Sequence, residues 1–231
     1  MLNNIKVVIH YIYYIMYNGQ AEQDKFVLNI LKEKKSGFFV EIGSNHPINI
    51  NNTYILETKY QWKGIMIEYE KKYLPLYKQH RPNSAHIIYD ATQLDYKKMF
   101  EAINVPLEAD YLQVDLEAYN GSTMKTLQKL DNEIFDKYKF ATVTFENDIC
   151  HTNIGNLREV SRNIFKNRGY VCVFQDIHNR EPQYVYEDWY VHPDLVDMNY
   201  VNQLINNNSE KYVDNPITQK SINWQDISYA L

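Results

Sequence analysis

The sequence predicts an α/β fold: a seven-stranded, mostly parallel sheet with helices on both faces and a last strand that runs antiparallel. Three observations carry this. Short apolar runs alternate with segments of helical periodicity, the pattern of βαβ units. Phe38-Phe39-Val40-Glu41-Ile42 is a run of the kind buried on both faces, and it breaks at Gly43-Ser44-Asn45. A second run, Gly64-Ile65-Met66-Ile67-Glu68, ends in an acid 25 residues after Gly43. A tight turn after the first strand and a carboxylate after the second are the parts from which an open α/β sheet builds a nucleoside crevice, with the acid on the ribose hydroxyls. Glu41 bears on the ligand's charge: it would repel a pyrophosphate but not a cation or zwitterion. Gly-x-Gly-x-x-Gly is absent, which argues against a dinucleotide-dependent oxidoreductase.

A chain of 231 residues can bury one substantial core. Its formal charge is −5 and it has no long basic run, so general nucleic-acid binding is disfavoured. The 21 tyrosines, with frequent Asn, Lys and Ile, look like the bias of an A/T-rich genome. Cys150 and Cys172 show no metal-type spacing. A reducing, cytoplasmic compartment is expected, with both thiols packed near the later strands.

In order along the chain, Ile5 to Tyr17 is apolar and aromatic but shorter than the roughly 20 residues that span a bilayer. It reads as an arm or helix, residues 1–19, covering the core or a partner subunit of a homo-oligomer. Gln20 to Lys35 has a helical stripe of Phe26, Val27, Ile30 and Leu31, with Asp24 near its start. Asn51-Asn52-Thr53 can cap a short helix through Glu57. Glu70 to Gln79 is helical, and His86 to Asp90 is a third strand. Asp90 at its end either accepts a hydrogen bond from an adenine amino group or is an ordinary turn residue. Tyr96 to Ala102 is a helix and Asp110 to Glu117 a fourth strand. A helix containing Met124, Leu127 and Leu130 follows, with Ser122 as its cap. Lys139 to Glu146 is a fifth strand, extended by Asn147-Asp148; Leu157 to Asn167 is a helix stopped by Gly169. Tyr170 to Phe174 and Asp188 to Val191 are the last strands, with no obvious helix between them, as suits a hairpin. Residues 20–197 form one domain, and 198–231 a surface extension.

At this level of detail the chain resembles the FkbM-type family of S-adenosylmethionine-dependent methyltransferases. The segments that carry the likeness are Gln23-Asp24-Lys25-Phe26-Val27, Phe39-Val40-Glu41-Ile42-Gly43-Ser44-Asn45 with Asn52-Thr53, and Trp62-Lys63-Gly64-Ile65-Met66-Ile67-Glu68. Val114-Asp115-Leu116-Glu117, Phe145-Glu146-Asn147-Asp148 and Glu187-Asp188-Trp189 continue it. The chain departs from the pattern in having one glycine in the first turn, then His46-Pro47, and in Ala118-Tyr119-Asn120 after Glu117. The resemblance implies a Rossmann-like class I methyltransferase fold and methyl transfer from S-adenosylmethionine to a hydroxyl of a sugar, glycan or other small acceptor. It places Glu41, Gly43, Ser44, Asn45 and Thr53 at the methionine end of the cofactor, Glu68 on its ribose, Asp90 and Ala91 at its adenine, and Asp115 beside it.

Methyl transfer is an in-line displacement, and an alcohol needs to lose its proton to be a good nucleophile. The candidates for that task are Asp115, Glu117, Glu146, Asp148 and His151. Asp115 and Glu117 are two apart, as are Glu146 and Asp148, so each pair would share a face on a regular strand. Three uses compete. Asp115 lines the cofactor; Glu146 and Asp148 bind a divalent cation such as Mg²⁺ through oxygen; or the acids bond acceptor hydroxyls and cap turns. His151 is the alternative base, with a pKa ordinarily near neutrality. Two other readings stay open: a non-catalytic scaffold that keeps the crevice, and an RNA-cap ribose methyltransferase.

Overall fold

The computed structural model describes residues 17–151, 154–178 and 184–209. Residues 1–16 of the arm expected over 1–19 and the last part of the extension, 210–231, lie outside them. The described chain forms one seven-stranded sheet: β1 Phe38–Ile42, β2 Lys63–Glu68, β3 Ala85–Ile88, β4 Glu108–Val114, β5 Lys139–Glu146, β6 Val171–Ile177 and β7 Glu187–Val191. The spatial order is β3-β2-β1-β4-β5-β7-β6. Strands β1 to β5 pair in parallel, and β7 runs antiparallel to both neighbours. The helices are α1 Gln23–Ile30, α2 Tyr54–Thr58, α3 Leu74–His80, α4 Tyr96–Ile103, α5 Ser122–Glu133, α6 Leu157–Asn167 and α7 Met198–Ser209.

Successive strand residues point to opposite faces, and each face has its own core. On one side Val40, Ile42, Ile65, Ile67, Leu112, Val114, Val143 and Phe145 meet α4, α5 and α6 through Phe100, Leu127, Leu130 and Phe165. On the other, Phe39, Met66, Tyr111, Trp189 and Val191 meet α1, α2, α3 and α7 through Phe26, Val27, Leu56, Tyr77 and Val201. Phe26 packs on Trp189 at 4.7 Å between ring centres, and Phe165 on Tyr190 at 4.5 Å. With β1 covered on both faces, all five of its residues are buried. That explains its unbroken apolar run, and it makes the buried Glu41 anomalous.

Several boundaries differ from the sequence reading. Helix α1 stops at Ile30 because Lys32 and Glu33 take left-handed angles, φ 52° and 55°. Strand β4 stops at Val114, so Asp115 and Glu117 lie in the following loop and not on one strand face. Strand β5 stops at Glu146, and Asp148 has φ 48°. Ser122 begins α5 without capping it; Gly121 holds the cap position at φ 80°. Strand β6 runs on to Ile177 through register shifts against β7. Cys172 is exposed on β6 and Cys150 is half-buried, so the thiols are not both packed inside. The expected surface extension begins instead with α7, whose Val201 and Leu204 are buried in the core.

Candidate active site

The carboxyl ends of β1, β2, β4 and β5 open into one cavity of about 840 Å³, within the usual range for small-molecule sites. Its wall includes Glu41, Gly43, Ser44, Asn45, Glu68, Asp90, Ala91, Asp115, Glu117, Glu146 and Asp148. Thr53 does not line it. The Thr53 hydroxyl is buried, donating to Asn51 Oδ1 at 3.2 Å and accepting from Arg81 at 2.7 Å. His151 lies in a smaller adjoining cavity of about 180 Å³, which shares Gln20, Glu146 and Asp148 with the first.

The turn after β1 is built for packing. Gly43 has φ 87°, and a Cβ there would lie 1.8 Å from the Asp115 carbonyl oxygen. Its missing side chain therefore makes room for the β4 loop. The amides of Gly43 and Ser44 both donate to the Ile67 carbonyl, at 2.9 and 3.1 Å, so both are already engaged within the sheet. What the turn offers is Glu68. Its carboxylate accepts from Asn45 N at 2.7 Å and Glu70 N at 2.8 Å, which clips the β1 and β2 turns together and fixes the acid at the cavity wall. Asp90 accepts from the Thr92 amide and hydroxyl, each at 2.8 Å, the ordinary turn role, while also lining the cavity.

Glu41 is fully buried behind this turn. Oε2 accepts from Asn51 Nδ2 at 3.1 Å, whereas Oε1 has no partner. Burial pushes its pKa up to about 7, opposed by the Arg81 charge. Two further buried acceptors on the same wall also lack donors, Asn52 Oδ1 and Gln113 Oε1. Three buried acceptors without donors thus belong to residues that line one cavity, and N–H donors such as those of an ammonium would satisfy them. Asn51 and Arg81 hold the arrangement from behind. Asn51 also donates to Ser44 O at 3.0 Å, and Arg81 donates to Asn51 Oδ1 at 2.7 Å and Glu57 Oε2 at 2.8 Å.

The far end of the cavity is a cluster of acids. Asp115 and Glu146 lie close enough to couple, and both pKa values are raised, by burial first and for Glu146 by the Asp115 charge next. Glu187, opposite Glu146 in the β5–β7 register, is buried and pushed up to about 8 by desolvation. Gln23 of α1 donates to it at 3.0 Å. His151 Nδ1 lies 2.6 Å from Asp148 Oδ1. Glu117 is exposed at the rim, with its carboxylate on the cavity wall. Asn51, Asn52, Gln113, Arg81 and Glu187 were not among the expected site residues. Asn51-Asn52 was visible as a cap signal, Asn52 and Glu187 also as parts of the family likeness, and the partners of Arg81 and Glu187 are remote in sequence.

A pH dependence follows from Glu41. Its ionised form would attract a ligand ammonium, and below about pH 7 the ligand-free protein holds it neutral. Binding then has to expel that proton. S-adenosylhomocysteine affinity is expected to fall about tenfold per pH unit below that value and to level off above it, as read by calorimetry. Glu41→Gln should abolish the slope; an equal slope in the variant would assign it to another group.

No family model matches the chain, and no curated protein matches it. Solved structures do. A Streptococcus mutans structure described as a putative SAM-dependent methyltransferase aligns with TM-score 0.54 and 10% identity, over 73% of this chain and 47% of that one. This chain thus spans about half the length of that protein. A TehB-like SAM-dependent methyltransferase from Corynebacterium glutamicum aligns with TM-score 0.45 and 9% identity, over 82% and 97%. Aeropyrum pernix fibrillarin, solved with S-adenosyl-L-methionine bound, aligns with TM-score 0.43 and 12% identity, over 72% and 74%. The first likeness agrees with the strand order and the single reversed strand: the chain has a Rossmann-like class I methyltransferase fold.

Proposed function

We propose that the protein is an S-adenosylmethionine-dependent O-methyltransferase of the FkbM type whose acceptor is a hydroxyl of a neutral, sugar-like molecule. The observation that carries the cofactor is the set of orphaned acceptors, Glu41 Oε1, Asn52 Oδ1 and Gln113 Oε1, on one wall of the cavity. They fit the ammonium of the methionine moiety. Glu68 fits the ribose hydroxyls, with its carboxylate already fixed by two amides. Asp90 and Ala91 lie on the wall where β3 ends, a fit for adenine. When bound, the cofactor supplies an electrophilic methyl on a sulfonium.

The chain's own part is to orient an acceptor hydroxyl and take its proton. Asp115 and Glu146 line the cavity with raised pKa values, and the ionised carboxylate of this pair serves as base. Glu117 and Asp148 offer further acceptors for hydroxyls of a polyol. The described wall carries eight acidic side chains against one lysine, Lys72. That balance disfavours the RNA-cap reading, since it repels phosphates. Incubation with methyl-labelled S-adenosylmethionine and a panel of sugars, glycans and capped RNA is the test. Label in an alkali-stable ether on a sugar is expected. Label in RNA alone, or cofactor binding with no transfer to any acceptor, would contradict the proposal, the latter in favour of a scaffold.

A further inference from the structure

Beside the acidic end of the cavity, three different metal-ligating side chains converge from one short turn. Asp148 Oδ1, Cys150 Sγ and His151 Nδ1 all lie within 4.8 Å of one another. Sγ is 3.2 Å from Nδ1 and 3.6 Å from Oδ1. We propose that Asp148, Cys150 and His151 form a binding site for one transition-metal ion of the zinc class, placed at the acceptor end of the cavity. Metal binding itself is independent of the methyl-transfer reading; only the role of the ion rests on that reading.

The spacing fits such an ion. Bond lengths of about 2.3 Å to sulfur and about 2.0–2.2 Å to nitrogen and oxygen give tetrahedral edges of roughly 3.4–3.6 Å. Both sulfur distances lie within about 0.4 Å of that range. Only the His151–Asp148 separation, 2.6 Å, has to open, by about 0.8 Å, as the shared proton is replaced by the metal. His151 is exposed, so its ring can make that move.

The turn is held in place without help from a ligand. Asp148 N donates to Tyr186 O at 2.9 Å, Cys150 N to Val185 O at 3.1 Å, and His151 N to Asp148 O at 3.0 Å. The donor set decides the class of ion. Thiolate and imidazole with one carboxylate suit zinc or cobalt, whereas Mg²⁺ prefers oxygen alone. Three protein ligands leave a fourth position. The adjoining small cavity supplies room for it, and Glu146 lines both that cavity and the larger one. An acceptor hydroxyl in the fourth position would have its pKa lowered by the ion. Coordination forms bonds to sulfur, nitrogen and oxygen, releases the thiol proton to solvent and moves the imidazole proton from Nδ1 to Nε2 by exchange with solvent; nothing is oxidised or reduced.

The test is a Co²⁺ titration of the reduced full chain, read by absorbance. Wild type should bind one equivalent and show a thiolate-to-cobalt charge-transfer band that excess Mg²⁺ does not bleach. Cys150→Ser should lose the band, Cys172→Ser should keep it, and His151→Gln should weaken binding by at least about tenfold. The exposed His151 position keeps the test valid if Cys150→Ser misfolds. Absence of the band in folded wild type would overturn the proposal. So would its survival in Cys150→Ser, its loss in Cys172→Ser, bleaching by Mg²⁺, or unchanged affinity in His151→Gln. A parallel S-adenosylhomocysteine titration separates the claims: a cobalt band without nucleoside binding removes the methyl-transfer reading and leaves the metal site.

Discussion

Arg81→Ala is expected to lower folding stability by about 3–5 kcal/mol and to weaken S-adenosylhomocysteine binding in whatever fraction remains folded. Arg81 is fully buried, with its guanidinium 2.8 Å from Glu57 Oε2 and hydrogen-bonded to Asn51 Oδ1, Thr53 Oγ1 and Pro47 O. Removing it leaves Glu57 as a buried charge, although Asn83 N and Ser84 Oγ still donate to it. The loss travels one step further. Asn51 bridges Arg81 to Glu41 and to the Ser44 carbonyl, so without Arg81 the orienting group for Glu41 loses the shortest of its anchors and keeps only Thr53 on the same oxygen. Urea unfolding checks the first part and calorimetry the second. A destabilisation below about 1 kcal/mol would mean that water or rearrangement satisfies Glu57, and that the buried pair does not hold the site.

Glu146→Gln is expected to cut turnover by about 10²–10⁴-fold while leaving S-adenosylhomocysteine affinity within about threefold. The amide fills nearly the same volume but cannot take a proton, and Asp115 loses its titrating partner. In wild type both carboxyls titrate above the ordinary carboxylate range. The rate should therefore fall on acidification through a pH above that range, as the base becomes protonated, and this limb should vanish in the variant. A variant with wild-type turnover would move the base to another group.

The parts of the fold that were legible in sequence were those with an unambiguous local period. Strands β1, β2 and β5 are apolar runs that end at an acid or a glycine, and α6 begins and ends where its stripe and Gly169 put it. Carboxylates at strand ends were legible for the same reason, since Glu68 closes β2 and Glu146 closes β5. Backbone detail was not. The argument that Asp115 and Glu117 share a face assumed a strand that in fact stops at Val114. The glycine turn was read as a ligand cradle, yet its amides are spent on Ile67. Neighbouring strands compete for the same donors, and a single sequence does not show which strand lies beside which. The supports of the site were hidden for that reason too. Arg81 meets Glu57 and Asn51 across 24 and 30 residues, and Glu187 meets Gln23 across 164.

Cofactor recognition is the central claim, and calorimetric titration with S-adenosylhomocysteine, wild type beside Glu68→Ala, tests it most directly. Wild type is expected to bind one equivalent. The variant loses the acid that clips the Asn45 and Glu70 amides and that, on the proposed reading, meets the ribose hydroxyls. At about 1.5–3 kcal/mol for a hydrogen bond to a charged group, affinity should fall at least tenfold. A folded wild type that binds no S-adenosylhomocysteine at any pH from mildly acidic to mildly basic would contradict the account. A variant that binds as well as wild type would take Glu68 out of the site.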